Sequence, residues 1–243
     1  MAFGKIVLLI AIMIGQHYSA TAPNARPPSE ELRKQTGWEL VFPNLARVLK
    51  VIPWVWTLAE VAVLFAASDY CPPGVSQSIV DHLVRNENPT QALAQVGLVT
   101  RSFLAGSLSS ISGSLIRIYC YRTLGRMFTF ELSIRKEHKL ITSGMYSVVR
   151  HPSYTGGIGV ILGFLLCHFN PNSWLVSCSG LFPSSESKLA KALVYSWVSI
   201  AAVTTLGMRK RMNEEDAMLE KNFGEEWKDW VRRVPCRLFP WVY

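Results

Sequence analysis

The sequence predicts an all-α, polytopic membrane protein with about five transmembrane helices and an amphipathic C-terminal helix. Three observations predict it. Hydrophobic residues make up 49% of the 243 residues against 17% charged, and the mean hydropathy is +0.20, an apolar balance above that of a soluble domain of this length. Apolar runs recur at bilayer length, about 17 to 25 residues. The basic residues gather at the ends of those runs, so the formal net charge of +8 is a topology signal. Nucleic-acid binding needs a basic face interleaved with stacking aromatics, which this pattern excludes.

The first run, near 3–20, contains "IVLLIAIMIG" after Lys5. Ala20 and Ala22 have the spacing of a signal-peptide cleavage site. The polar, basic "PNARPPSEELRKQ" that follows is what a cytosolic loop would carry, so a retained span is expected. Runs near 48–68, 96–120 and 189–208 give three more. The region 155–182 begins "TGGIGVILGFLLCHF", stops at Asn170-Pro171 and resumes as "WLVSCSGLF". The residue before a proline is driven out of helical geometry, so this region predicts one short span followed by a re-entrant or interfacial piece.

Loop charge then orients the chain. Residues 121–153 carry Arg122, Arg126, Arg135, Lys136, Lys139 and Arg150, and the tail after 208 is rich in Lys and Arg. Both are expected in the cytosol. The segments 69–95 and 170–187 have only Arg85 between them and are expected as loops on the other side. The organisation reads as N-terminal transmembrane helices over 1–121 and a polar-motif-bearing part over 122–243. Cys71, Cys120, Cys167, Cys178 and Cys236 are odd in number and widely spaced, which supports neither a disulfide framework nor a metal site.

Dense polar signal falls in two cytosol-facing blocks, "LGRMFTFELSIRKEHKLITSGMYSVVRHPSYTGG" at 124–157 and "MRKRMNEEDAMLEKNFGEEWKDWVRRVP" at 208–235. Polar groups beside hydrocarbon are costly, so the protein's work belongs there. In the second block Gly224 closes one helix, and Trp227, Trp230 and Val231 recur at helical spacing in the next. This predicts an amphipathic tail lying on the membrane face. Each block also has a structural reading: a helix start at Pro152 with Arg150 and His151 reaching the headgroups, and a plain interfacial anchor.

What favours chemistry is the ordered combination HxLxTxGxY, RHPxYxG, Asn-Pro, Glu-Glu and FGxEW followed by RVP. Over roughly residues 122–240 this resembles the isoprenylcysteine carboxyl methyltransferase family of integral membrane enzymes. The resemblance implies a helical membrane fold with a cytosol-facing cofactor pocket and S-adenosylmethionine as methyl donor. It further implies prenylated protein C-termini, such as those of small GTPases, as acceptors, and residence in the endoplasmic reticulum membrane. Carried over residue by residue, the cofactor positions fall on His138, Lys139, Leu140, Ile141, Tyr146, His151, Pro152, Ser153, Tyr154 and Glu215. The substrate-facing catalytic position falls on Arg211. Glu131 stands where the family has a cofactor-touching glutamine, a departure from the pattern, and 172–188 is a second departure, an insert-like stretch.

Residues four apart share a helix face, so Arg211 and Glu215 can address both reactants from one helix. An α-carboxylate with a pKa near 3.5 is already ionised at neutral pH, so the reaction implied needs positioning rather than a general base. Two alternatives stay open from the sequence: methylation of a phospholipid amine or other lipid acceptor, and a non-catalytic paralogue that binds prenyl peptide.

Overall fold

The structure, a computed structural model, describes residues 2–28, 38–130, 133, 138–182 and 187–242, with side chains in the second helix described from Lys50 onward. The described elements are helices: α1 (Ala2–Ser19), α2 (Trp38–Ala66), α3 (Pro73–Leu83), α4 (Pro89–Val96), α5 (Arg101–Leu124), α6 (Pro152–His168), α7 (Trp174–Ser177), α8 (Lys188–Phe223) and α9 (Glu225–Arg233). Single 3-10 turns at Gly125–Met127 and Gly144–Ser147 interrupt the connection between α5 and α6.

The all-α expectation holds, and each of the five apolar regions contains one long helix. Among the described residues α8 is long and apolar enough to cross a membrane, and Phe3–Ser19 and Pro152–His168 are shorter apolar helices.

The bundle is built on α5 and α6, the most extensively packed pair. Their contact is made by glycine. A Cβ on Gly113 would lie 2.5 Å from the carbonyl oxygen of Gly156, and one on Gly163 would lie 2.6 Å from that of Gly106. Backbones this close leave no room for side chains, the packing that lipid-embedded helices favour. α1 lies against α5 and α2, where Leu9, Ile12, Val63, Leu64 and Phe103 share one buried cluster.

The connections differ from expectation in three places. Residues 69–95, expected as a loop, contain α3 and α4. Each starts with a proline in its first turn, and Asn88 caps α4 by accepting from the Gln91 amide at 3.2 Å. Both are shorter than a bilayer span, and run-length reasoning passes over them. The run expected at 96–120 forms at Arg101–Leu124 instead, because Thr100 caps it by accepting from the Phe103 amide. The piece after Asn170-Pro171 is the single turn α7, docked on α2 and α4. There Trp174 Nε1 donates to the Leu83 carbonyl at 2.9 Å.

α8 runs for 36 residues, about 54 Å at 1.5 Å per residue. Its first half touches the bundle through Trp197, which meets Trp56, Phe164 and Phe169. Its second half carries the charged block. Gly224, at φ +54°, ends α8 in a conformation that favours glycine and turns the chain into α9.

The Trp face of α9 is not laid on a membrane. Trp227 and Trp230 are buried in a cluster with Cys120, Tyr146 and Val234, flanked by Leu140, Ile141, Leu219 and Phe223. The amphipathic pattern was legible, but a helix moment does not say whether the apolar face meets lipid or protein. Here it meets protein.

Candidate active site

Pro152 opens α6 in its first turn, and the His151 side chain makes no capping bond to that turn. This helix start puts Tyr154 against the charged half of α8. The Tyr154 hydroxyl donates to Glu215 Oε2 at 2.9 Å, and Arg211 Nε donates to the same hydroxyl oxygen at 2.9 Å. One phenol on α6 therefore joins the two residues that the sequence placed on one face of α8. A hydroxyl can donate once and accept as well, and both capacities are used.

The Glu215 carboxylate is close enough to act electrostatically on His138, Tyr146 and Tyr154. Burial pushes the His138 imidazole below its usual range, with Glu215 partly opposing, so it is neutral at pH 7. Among the described residues its buried Nδ1 has no hydrogen-bond partner, and its ring lies 5.8 Å from that of Phe223. Burial first, then Cys120 and Glu215, push the Tyr146 phenol upward. Tyr146 is thus a neutral donor, and its backbone carbonyl accepts from Trp230 Nε1 at 3.0 Å.

His151 is turned to a different partner, one the sequence reading missed. Its Nε2 lies 2.9 Å from Asp216 Oδ1. An ionised carboxylate only accepts, so this nitrogen carries the hydrogen. Arg150 NH1 and Arg237 Nε reach Asp216 Oδ2 at 3.1 and 3.2 Å. Burial alone would raise the Asp216 carboxyl, but His151, Arg150 and Arg237 outweigh it and hold the group below the usual carboxylate range. Backbone bonds close the arrangement. The amides of Arg150 and His151 donate to the carbonyls of Cys236 and Arg237 at 3.0 and 2.9 Å. Thr155 Oγ1 donates to the Leu238 carbonyl at 2.7 Å. The tail after α9 is thereby laced to the loop before α6.

The sequence-derived positions therefore divide. His138, Tyr146, Tyr154, Arg211 and Glu215 come together. Leu140 and Ile141 pack beside them on the α9 tryptophans. Lys139 is exposed. Pro152 is buried at the helix start, and Ser153 faces Arg117 of α5, whose NH1 reaches its carbonyl at 3.0 Å and its Oγ at 3.4 Å. Glu131 lies outside the described residues. Asp216 and Arg237 had no sequence signal beyond charge. Asp216 stands one residue past the acidic pair, and only its helical azimuth separates it from Glu215.

Comparison with known proteins bears on this arrangement. Residues 106–182 match the model of the isoprenylcysteine carboxyl methyltransferase family. That match spans most of α5, all of α6 and the motif block between them, and stops before Arg211 and Glu215. A protein-S-isoprenylcysteine O-methyltransferase B of Arabidopsis thaliana is 32% identical over 127 residues, covering 51% of this chain and 53% of its own length. A probable protein-S-isoprenylcysteine O-methyltransferase of Oryza sativa subsp. indica is 31% identical over 152 residues, covering 61% of this chain and 68% of its own length. A Delta(14)-sterol reductase of Mus musculus is 29% identical over 105 residues, 43% of this chain and 20% of its own. No solved structure matches the chain.

Proposed function

Because the chain belongs to the isoprenylcysteine carboxyl methyltransferase family, we propose that it methylates the C-terminal carboxylate of prenylated cysteine with S-adenosylmethionine as donor. The observation that carries this reading is the Tyr154 hydroxyl bonded to both Arg211 and Glu215. A cation for the acceptor and an anion for the donor are held side by side at one end of the bundle. The chemistry of the residues fits such a donor: the buried Nδ1 of His138, without a partner among the described residues, is an acceptor or donor open to a polar ligand, and Glu215 supplies charge for a cationic one.

When bound, the donor supplies a methyl group already activated as a sulfonium. The protein's own residues then need only bind and align. Arg211 holds the acceptor carboxylate through its planar fork of N–H groups. Glu215, His138 and the neutral Tyr146 and Tyr154 phenols hold the polar ends of the donor. Attack by an ionised carboxylate releases no proton, so no side chain is assigned the role of base. Orientation and exclusion of water supply the rate.

Five spans follow for this reading: α1, α2, α5, α6 and the first half of α8. They give a multi-pass protein of the endoplasmic reticulum membrane with residues 121–153 and 209–243 in the cytosol. The hydrocarbon core is about 30 Å thick, so α8 carries Arg211 and Glu215 past the hydrocarbon as a continuation of its own span. The acceptors are prenylated protein C-termini, including those of small GTPases, whose lipid reaches the site from the bilayer.

The test is transfer of labelled methyl from S-adenosylmethionine to a farnesylated cysteine analogue by membranes containing this chain. Label in base-labile methyl ester supports the reading. Label in extracted phospholipid would favour an amine acceptor, and absence of both in folded protein would overturn methyl transfer.

A further inference from the structure

Arg117 lies in α5, outside every motif, yet its side chain makes four hydrogen bonds beside the site. Its Nε donates to the Ser19 carbonyl at 2.9 Å, its NH1 to the carbonyl and Oγ of Ser153, and its NH2 to the Tyr121 hydroxyl at 2.7 Å. Tyr121 in turn donates to the same Ser19 carbonyl. The guanidinium sits 5.4 Å from the Tyr121 ring centroid and 5.8 Å from that of Phe130. These acceptors are all neutral. Arg117 is half-buried, and among the described residues its hydrogen bonds go to carbonyls and hydroxyls, so the geometry of its fork is what the fold uses here.

That geometry converges on the first turn of α6, which is weak by its own sequence. Pro152 brings no N–H, His151 gives no side-chain cap, and Gly156 and Gly157 follow, glycine being a poor helix former. The glycines also admit Arg117: a Cβ on Gly156 would lie 2.9 Å from its Cγ, and one on Gly157 would lie 3.3 Å from its NH1. The same turn carries Tyr154, whose two bonds at 2.9 Å join Arg211 and Glu215. A hydrogen bond of that length does not survive a displacement of about 1 Å.

We propose that Arg117 is a positioning residue: by tying the last carbonyl of α1 to Ser153, it fixes the first turn of α6 so that Tyr154 spans Arg211 and Glu215. Ser153 then serves the site through Arg117 rather than by touching a reactant. The functional half of this inference rests on the methyl-transfer reading, while the geometric half does not.

The experiment uses the full chain reconstituted in lipid, with 3-fluorotyrosine at position 154 and Arg117→Gln, Arg117→Lys and wild-type side chains. The fluorine resonance reports the bonding of the Tyr154 hydroxyl whether or not the protein turns over. It is expected to shift in Arg117→Gln and less in Arg117→Lys. Turnover per folded molecule is expected to fall by about tenfold to a hundredfold in Arg117→Gln, the scale of a small misplacement, with partial rescue by Lys. Should Arg117→Gln fail to fold, Arg117→Lys decides by the same two readouts. An unmoved resonance overturns the proposal, and so does a moved one with turnover unchanged. A wild-type protein that transfers no methyl group sinks the functional reading instead, and the resonance alone then decides the positioning role.

Discussion

Two carboxylates are buried near opposite ends of α6, a helix about 25 Å long at 1.5 Å per residue, and the protein treats them differently. Glu60, near the α7 end, has a single cation among the described residues. Lys5 Nζ lies 2.8 Å from its Oε1 and donates also to the carbonyls of Val96 and Asn172 at 2.7 and 2.8 Å. The Trp174 amide donates to Oε2 at 3.1 Å. The ammonium thus ties together three segments far apart in sequence, through one ion pair and two carbonyl hydrogen bonds. Lys5 and Glu60 balance each other in charge.

Asp216, at the site end, has two arginines and a histidine around one carboxylate. This cluster gathers several cationic or hydrogen-bonding side chains on one carboxylate and stands one residue from Glu215, which accepts from Tyr154. The first arrangement staples helices, whereas the second orients a loop and a tail beside chemistry. A buried ion pair alone is weak evidence for function.

The largest expected effect on stability is at the closed pair. Glu60→Ala leaves Lys5 buried without its counter-charge and should cost about 3 to 5 kcal/mol, read as a lower thermal unfolding midpoint in detergent. Replacing both partners, Lys5→Met with Glu60→Leu, should recover most of the loss, and turnover per folded molecule should stay unchanged in the double variant. If the double variant were no better than Glu60→Ala, the pair would not be the staple described.

Asp216→Ala should cost less stability, about 1.5 to 3 kcal/mol, the range for hydrogen bonds to charged groups, because Arg237 is partly open to solvent. It should also release the tail. Amide hydrogen exchange at Arg150 and His151 is expected to rise together, since their acceptors are the carbonyls of Cys236 and Arg237. Protection persisting at both would mean that the tail is held by α9 packing alone.

The same carboxylate sets a pH signature. Asp216 is held below its ordinary 3.8, so the folded state favours its ionised form. That contribution is complete above the unfolded value and is lost as pH falls through the lowered folded one. The gap in unfolding midpoint between wild type and Asp216→Ala should be constant from about pH 8 to about pH 5 and close below about pH 4. A gap that narrows near neutrality would assign the dependence to a histidine.

The two ends also differ in how far the sequence revealed them. The α6 start was legible because Pro152 has a fixed stereochemical use, and the α8–α9 break because Gly224 does. Arg211 and Glu215 were legible as a pair because a spacing of four fixes a shared face. Lys5 and Glu60 are isolated charges inside apolar runs, 55 residues apart, and nothing in local periodicity pairs them. Asp216 was hidden by adjacency. On a helix, one residue turns the side chain by about 100°, enough to separate a group facing Tyr154 from one facing His151. Arg117 carried no signal because its partners are mostly carbonyl and hydroxyl groups brought by α1 and α6, and a carbonyl belongs to every residue type.

The smallest expected effect on stability, and the sharpest test of the comparison, is at Arg211. It is half-buried, and its Nε donates to the Tyr154 phenol. Arg211→Lys should leave the unfolding midpoint nearly unchanged. Donor affinity should also hold, because Tyr154 keeps its bond to Glu215 and His138 is untouched. Turnover should fall, since an ammonium cannot offer two parallel N–H groups to a carboxylate, and Arg211→Ala should lower it further. Across about pH 7 to 8 the rate of the chemical step should be flat for wild type and both variants. The acceptor carboxylate is ionised throughout, and burial keeps His138 neutral there. A rise of one proton's steepness in that interval, or a loss of donor affinity matching the loss of rate, would move Arg211 from the acceptor side to the donor side. The polar end of α8 would then have to be reassigned around an acceptor that must first lose a proton.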